Sequence, residues 1–258
     1  MRTLVYTLND AHQWAAFSGD YNPVHFDLAR GDGQLTIHGM RALLDVKSAL
    51  SGEGLDDSSS LKCTVRLRRP LRYGTPYQLT QDTRRTAAMN VTDSTDGQTC
   101  LSCQFTALNN DEEVAPVSIS TLDAYELARL EQTFSPLLPQ AQQWQFLDAL
   151  LFRHLIHDAA LLRQEVIATS LPTGATLDAV FSQCQVVQTH QELVFDRRLL
   201  ASWTPGGFTH PLEIGVLPAL VVGDVESGAV VRIAATICQE NIRISNAITL
   251  KISQLATN

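Results

Sequence analysis

Residues 17–50 read FSGDYNPVHFDLARGDGQLTIHGMRALLDVKSAL, and the fold turns on how that stretch ends. From Gly39 onward, Met40, Leu43, Leu44, Lys47 and Leu50 recur at helical spacing, and this face is apolar apart from Lys47. Such a helix needs a cover. The four stretches LKCTVRLRR, PYQLTQDTRR, AAMNVTDS and QTCLSCQFTAL between Leu61 and Leu108 supply one. They are strand-like and divided by turn signals at Tyr73-Gly74, Asp93 to Thr95 and Asp96-Gly97. Upstream, Arg2 to Leu8 suits a short strand, and Asn9 and Asp10 offer an N-cap for a helix from Ala11 to about Phe17. The polar stretch SGEGLDDSSS separates the buried helix from the strands.

Farther out, the same outline returns. NNDEEVAP (Asn109 to Pro116) is the best linker candidate. Between Trp144 and Val166, Leu147, Leu150, Leu151, His154, Leu155, Asp158, Leu161 and Leu162 predict a long helix with a broad apolar face. Strand-like sequence follows at 175–187, 192–203, 216–222, 229–238 and 242–252, the last two joined as a hairpin through QEN. No strong residue-level repeat accompanies this. The expected class is α+β, a helix wrapped by antiparallel sheet, twice, with domains at 1–115 and 116–258.

The chain has 258 residues, 45% hydrophobic and 18% charged, an ordinary globular composition that excludes collagen, disorder and a disulfide scaffold. Nineteen basic against 27 acidic residues give a net charge of −8, without the footprint of a nucleic-acid binder. Five Cys, an odd and sparse set, point to reduced thiols and a cytoplasmic location. The first residues show no export signal, and no apolar run reaches membrane-spanning length, so a soluble protein is expected.

The densest chemistry lies in the opening stretch. Asp20 and His25 flank a loop stiffened by Asn22-Pro23. A carboxylate and an imidazole in one site can exchange a proton near neutral pH. Asn22 can hold the loop or a substrate oxygen, and Ser18 suits a loop hydrogen-bonder. His38-Gly39 opens the buried helix, where free N–H groups and the positive dipole end stabilise an oxyanion. The competing reading makes Asp20 a turn residue and His25 a satisfied, partly buried imidazole.

The string Ser18, Gly19, Asp20, Asn22, Pro23, Val24, His25 and Asp27, followed by His38, Gly39 and Met40, resembles the signature of the MaoC-like hotdog family. Its members are (R)-specific enoyl-thioester hydratases and 3-hydroxyacyl-thioester dehydratases. The resemblance is dense over residues 17 to 44 and extends in outline to 108. It implies a double hotdog packed as a pseudo-dimer, with a catalytic N-terminal half and a degenerate C-terminal half lacking the motif. It implies a hydro-lyase in which Asp20 and His25 are the catalytic pair and the Gly39 N–H is the oxyanion donor. Ser18, Asn22 and His38 are positioning residues. No metal and no redox cofactor is implied, the substrate being carried on coenzyme A or on the phosphopantetheine of an acyl-carrier protein. The chain is expected as a monomer or a homodimer of this unit. One departure stands out: the segment between His25 and His38 is a few residues shorter than is usual in the family.

Lys62, Arg66, Arg68, Arg69, Arg72, Arg84 and Arg85 crowd into residues 62–85 beside one acid, Asp82. Of these, Arg66, Arg68, Arg69 and Arg72 are candidates for a phosphate or carrier-protein contact, against the alternative of a solvated strand face. Cys100 and Cys103 have CxxC spacing but lie in a strand, where i and i+3 face opposite ways, and no second pair exists for zinc. Trp14, Trp144 and Trp203 read as core or interface anchors. His154, His157, His190 and His210 lack an Asp-Asn-Pro context and are assigned no chemistry. Two other functions fit the same residues: an acyl-thioesterase, or a non-catalytic module that binds acyl thioesters or their carrier.

Overall fold

In a computed structural model, the described residues are 2–30, 33–50, 58–85, 87–108, 114–158, 164, 167, 180, 184–224, 226–239 and 242–254. The first set of elements is β1 (Arg2–Leu4), α1 (Leu8–Ser18), α2 (Gly39–Ser48), β2 (Ser60–Leu67), β3 (Tyr77–Gln81), β4 (Ala88–Asp93) and β5 (Thr99–Leu108). The second is β6 (Ser118–Leu122), α3 (Ala124–Phe134), α4 (Gln143–His157), β7 (Cys184–Asp196), β8 (Leu212–Val216), β9 (Leu220–Val222), β10 (Ala229–Gln239) and β11 (Ile242–Gln254). Each set runs strand, helix, helix, then antiparallel strands. The two sets form one sheet in the order β1-β3-β4-β5-β2-β7-β11-β10-β8-β6, with β9 pairing to β10.

This is the expected α+β double hotdog, with one refinement. The two sheets are continuous, because β2 and β7 pair antiparallel from Ser60↔Asp196 to Arg66↔His190. That pairing uses two edges that would otherwise present unpaired backbone groups. The sheet wraps α2 and α4. The first buries Met40, Ala42, Leu43, Leu44, Val46 and Lys47, and the second is buried nearly all round from Trp144 to Leu155, as a central helix must be. Trp14, Trp144 and Trp203 are all core residues.

Several local expectations are corrected. The first strand stops at Leu4, and α1 is capped by Thr7 rather than Asn9 or Asp10. Thr7 Oγ1 accepts from Asp10 N–H while the Asp10 carboxylate accepts from Thr7 N–H, a reciprocal capping box that favours the earlier start. Strand β6 and helix α3 were not anticipated. The expected strands at 175–187 and 192–203 are one strand where described, β7, ending in a 3-10 turn at Arg197–Leu200. The expected strand 216–222 is two, β8 and β9. Most of 175–183, most of the linker 109–116, most of the loop after α2, the helix beyond 158 except residue 164, and the centre of the QEN turn lie outside the described residues. No described helix is long and apolar enough to cross a membrane.

Where the halves meet, Lys47 of α2 donates to the Asp148 carboxylate of α4, and both side chains are fully buried. Gln191 of β7 accepts from Lys47 Nζ at 2.7 Å and donates to Asp148 Oδ1 at 2.8 Å. Asn246 of β11 donates to Asp148 Oδ1 at 2.9 Å. Burial pushes the Asp148 carboxyl upward, and the ammonium beside it opposes that shift. Removing one partner strands the other charge in an apolar interior. Lys47→Met is therefore expected to lower unfolding free energy by about 3–5 kcal/mol in urea titration, whereas exchanging the exposed Arg69–Asp96 pair for alanines changes it by about 1 kcal/mol or less.

Candidate functional site

The loop after α1 is built by its own side chains. Gly19 ends α1 in the left-handed region at φ 74°. Ser18 Oγ donates to Trp14 O at 2.9 Å and accepts from Asp20 N–H at 3.1 Å. Asp20 Oδ1 accepts from Asn22 N–H at 3.3 Å, and Asn22 Oδ1 accepts from Val24 N–H at 3.2 Å, capping the turn Pro23–His25. Ser18 and Asn22 thus hold the loop.

The two histidines are fixed by backbone carbonyls. His25 Nδ1 lies 2.8 Å from Thr36 O and His38 Nε2 lies 2.9 Å from Asp20 O. A carbonyl only accepts, so each of these nitrogens carries the proton, and His25 Nε2 and His38 Nδ1 keep lone pairs. The rings stack with centroids 3.6 Å apart, and polar atoms of Asp20, His25 and His38 lie within 4.8 Å of one another. Burial holds His25 below the ordinary imidazole value, with Asp20 opposing. Burial and the neighbouring His25 bring His38 down to about 4. Among the described residues these three side chains are the group spaced to hold a metal ion, which would have to compete for the lone pairs that proton transfer uses.

Asp20, His25 and Gly39 line one cavity of about 750 Å³. Gly39 is the first residue of α2, behind His38 at the N-cap, so its N–H has no intrahelical acceptor. A Cβ there would stand 2.6 Å from Leu67 Cδ2 on β2, so glycine also admits the neighbouring strand. The end of the segment that leads into His38 is tied down: Ile37 N–H donates to Leu71 O at 2.9 Å and Thr36 Oγ1 to Val24 O at 3.2 Å.

From this polar corner the cavity runs under the second half, against Phe152, Leu155, Ile156, Val231, Ile248 and Ile252. Of these apolar residues the sequence marked only Leu155, and that as part of a helix face, since nothing local separates a cavity wall from a core. Of the candidate arginines, Arg68, Arg69 and Arg72 line the cavity, joined by the unforeseen Arg30. Arg66 is exposed on β2 and is not part of the cavity lining among the described residues. Arg68 donates to Ser102 Oγ, Arg69 pairs with Asp96 and Arg72 donates to Gln34 O. Cys103 meets Cys63 with sulfurs 3.4 Å apart inside the core, and none of the five cysteines is in a disulfide.

No family model matches the chain, and no curated protein does. Solved structures with a similar arrangement include a protein provisionally assigned as a thioesterase II from Thermobifida fusca, 12% identical over 90% of both chains with TM-score 0.42. A MaoC-like dehydratase from Phytophthora capsici is 8% identical over 99% of this chain and 95% of its own, TM-score 0.40. The R-hydratase PhaJ1 from Pseudomonas aeruginosa is 23% identical over 46% of this chain and 88% of its own, TM-score 0.29. Overlaps this loose leave the reaction undecided.

The depressed His38 makes a stability prediction. Its folded form resists protonation while the unfolded side chain takes a proton near 6.5, so stability is present above that value and is lost as pH falls toward about 4. The loss attributable to His38 is about 3 kcal/mol. Urea titrations between pH 7 and 4 should show a smaller decline in His38→Gln, whose amide still reaches Asp20 O but does not titrate.

Proposed function

We propose that the chain is a hydro-lyase of the MaoC-like type, adding water reversibly to trans-2-enoyl thioesters to give (R)-3-hydroxyacyl thioesters. The observation that carries this reading is the convergence of Asp20, His25 and the helix-opening Gly39 on one cavity whose far wall is apolar. The division into a catalytic half, 1–115, and a degenerate half, 116–258, belongs to the same proposal.

In the hydration direction a water sits between the Asp20 carboxylate and His25 Nε2. The neutral imidazole, its other nitrogen engaged with Thr36 O, accepts a proton as the water oxygen bonds to the β-carbon. Negative charge then gathers on the thioester oxygen, where the Gly39 N–H and the positive end of α2 stabilise it. Return of a proton to the α-carbon completes the addition, and dehydration is the reverse. The apolar wall suits an acyl chain. Arg30, Arg68, Arg69 and Arg72 suit the phosphates of coenzyme A or of a phosphopantetheine arm.

Loss of enoyl absorbance on crotonyl-coenzyme A tests the reaction. Asp20→Asn and His25→Ala are each expected to lower kcat by about 10²–10⁴-fold. Ordinary turnover by either variant, or thiol release in place of hydration, overturns the assignment. Because charge-assisted phosphate contacts are worth about 1.5–3 kcal/mol, Arg68→Glu with Arg69→Glu should raise KM for coenzyme A substrates about tenfold or more while leaving kcat near its original value.

A further inference from the structure

Helix α1 ends at Ser18, two residues before Asp20, and its last carbonyls, which lack intrahelical donors, are met from the other half of the chain. Arg153 Nη1 donates to Phe17 O at 2.8 Å, and His157 Nε2 lies 2.9 Å from Ser18 O, so that nitrogen carries the proton. Both donors stand on α4, four residues apart and hence on one face. Next to Arg153 in the chain, Phe152 packs on Trp14 of α1, with centroids 5.9 Å apart. Gly19 closes the arrangement: a Cβ there would stand 2.0 Å from His157 Nε2 and 2.5 Å from its Cε1. The ring occupies the place a side chain at 19 would take, and the following residue is Asp20.

We propose that Arg153 and His157 are positioning residues for the loop that carries Asp20, so that the half without the motif sets where the acid stands. The inference rests on Asp20 being catalytic as read above. Its physical basis is leverage. Ser18 Oγ accepts from Asp20 N–H, His38 donates to Asp20 O, and the carbonyls just upstream are held by α4, which leaves the loop no slack at its root. Releasing that root lets the carboxylate drift relative to His25, and a misplacement near 1 Å costs about 10²-fold in rate. Gly19 then serves a specific purpose beyond its backbone angle, giving room to the ring that holds Ser18.

His157→Ala, His157→Gln, Arg153→Ala and Arg153→Lys test this in the full chain, with two readouts. Steady-state kinetics should show kcat falling about 10–100-fold in the alanine variants with KM within about twofold. His157→Gln, whose amide N–H reaches the same carbonyl, should recover most of the rate, and Arg153→Lys part of it. Backbone amide exchange should accelerate at residues 18–25 in the alanine variants and stay unchanged in β4, β5 and β10. Wild-type kcat with unaltered exchange overturns the inference, as does a loss equal in the alanine and conservative variants with faster exchange throughout. If the unmodified protein fails to hydrate enoyl thioesters, the functional reading falls. The exchange measurement then decides by itself whether α4 holds this loop: local acceleration supports the inference and none overturns it.

Discussion

The buried Lys47–Asp148 pair is the constraint on which the rest of the molecule depends. Two central helices lie under one continuous sheet, and a charge on each has been withdrawn from water. Pairing such charges seldom adds net stability compared with an apolar replacement, but misaligning them is severe, because neither can be solvated where it stands. Gln191 and Asn246 fill the remaining hydrogen-bonding positions around Asp148, so the pair also records the register of β7 and β11 beneath α4. Helix α2 therefore has little freedom to slide along α4. Its N-terminus, where Gly39 stands, is held at a fixed depth relative to the second half.

That depth matters because the cavity belongs to neither half. Its polar corner is made by residues 20–39 and by the arginines after β2, whereas much of its apolar wall comes from α4, β10 and β11. A strand irregularity marks the junction. The β7–β11 register shifts so that Thr189 has no Cα partner, between His190↔Thr249 and Gln188↔Leu250, and Gln188 and Thr189 both line the cavity. A bulge increases local twist and re-aims side chains. Beside it Gln188 reaches toward Gly39, with its Oε1 3.6 Å from where a Cβ on that glycine would lie.

The sequence revealed the parts of this design that are local. The period of Met40, Leu43, Leu44 and Leu50 marks α2, and alternation marks most strands between Leu61 and Leu108. The Asp20-to-Gly39 cluster is legible because its residues are held largely by one another: Ser18 to Asp20, Asp20 to Asn22, Asn22 to Val24, and Asp20 O to His38. What escaped is set by tertiary context. Thr7 outcompetes Asn9 and Asp10 as a cap because Asp10 can return the bond, a difference of placement rather than composition. Arg66 alternates into solvent while Arg68, Arg69 and Arg72 follow the chain round the cavity rim. Arg153 and His157 look like the polar edge of an amphipathic helix, and their partners are carbonyls some 140 positions away, which no local pattern encodes.

The same geometry bears on elimination against hydrolysis, the two chemistries this site could support. Hydrolysis needs an activated water at the thioester carbon, close beside the oxyanion donor. Elimination needs the proton-handling pair to reach the α- and β-carbons, displaced from the carbonyl along the acyl chain. Gly39 opens α2 directly after His38, whose ring stacks on that of His25 with centroids 3.6 Å apart, and in the proposed reading the Gly39 N–H takes the thioester carbonyl. Under the proposed reading, elimination requires a carbonyl on the Gly39 N–H to lay its α- and β-carbons beside Asp20 and His25, which line the same cavity. Either reaction asks for an imidazole that begins neutral in order to take a proton from water, and burial, which holds His25 low, keeps it so.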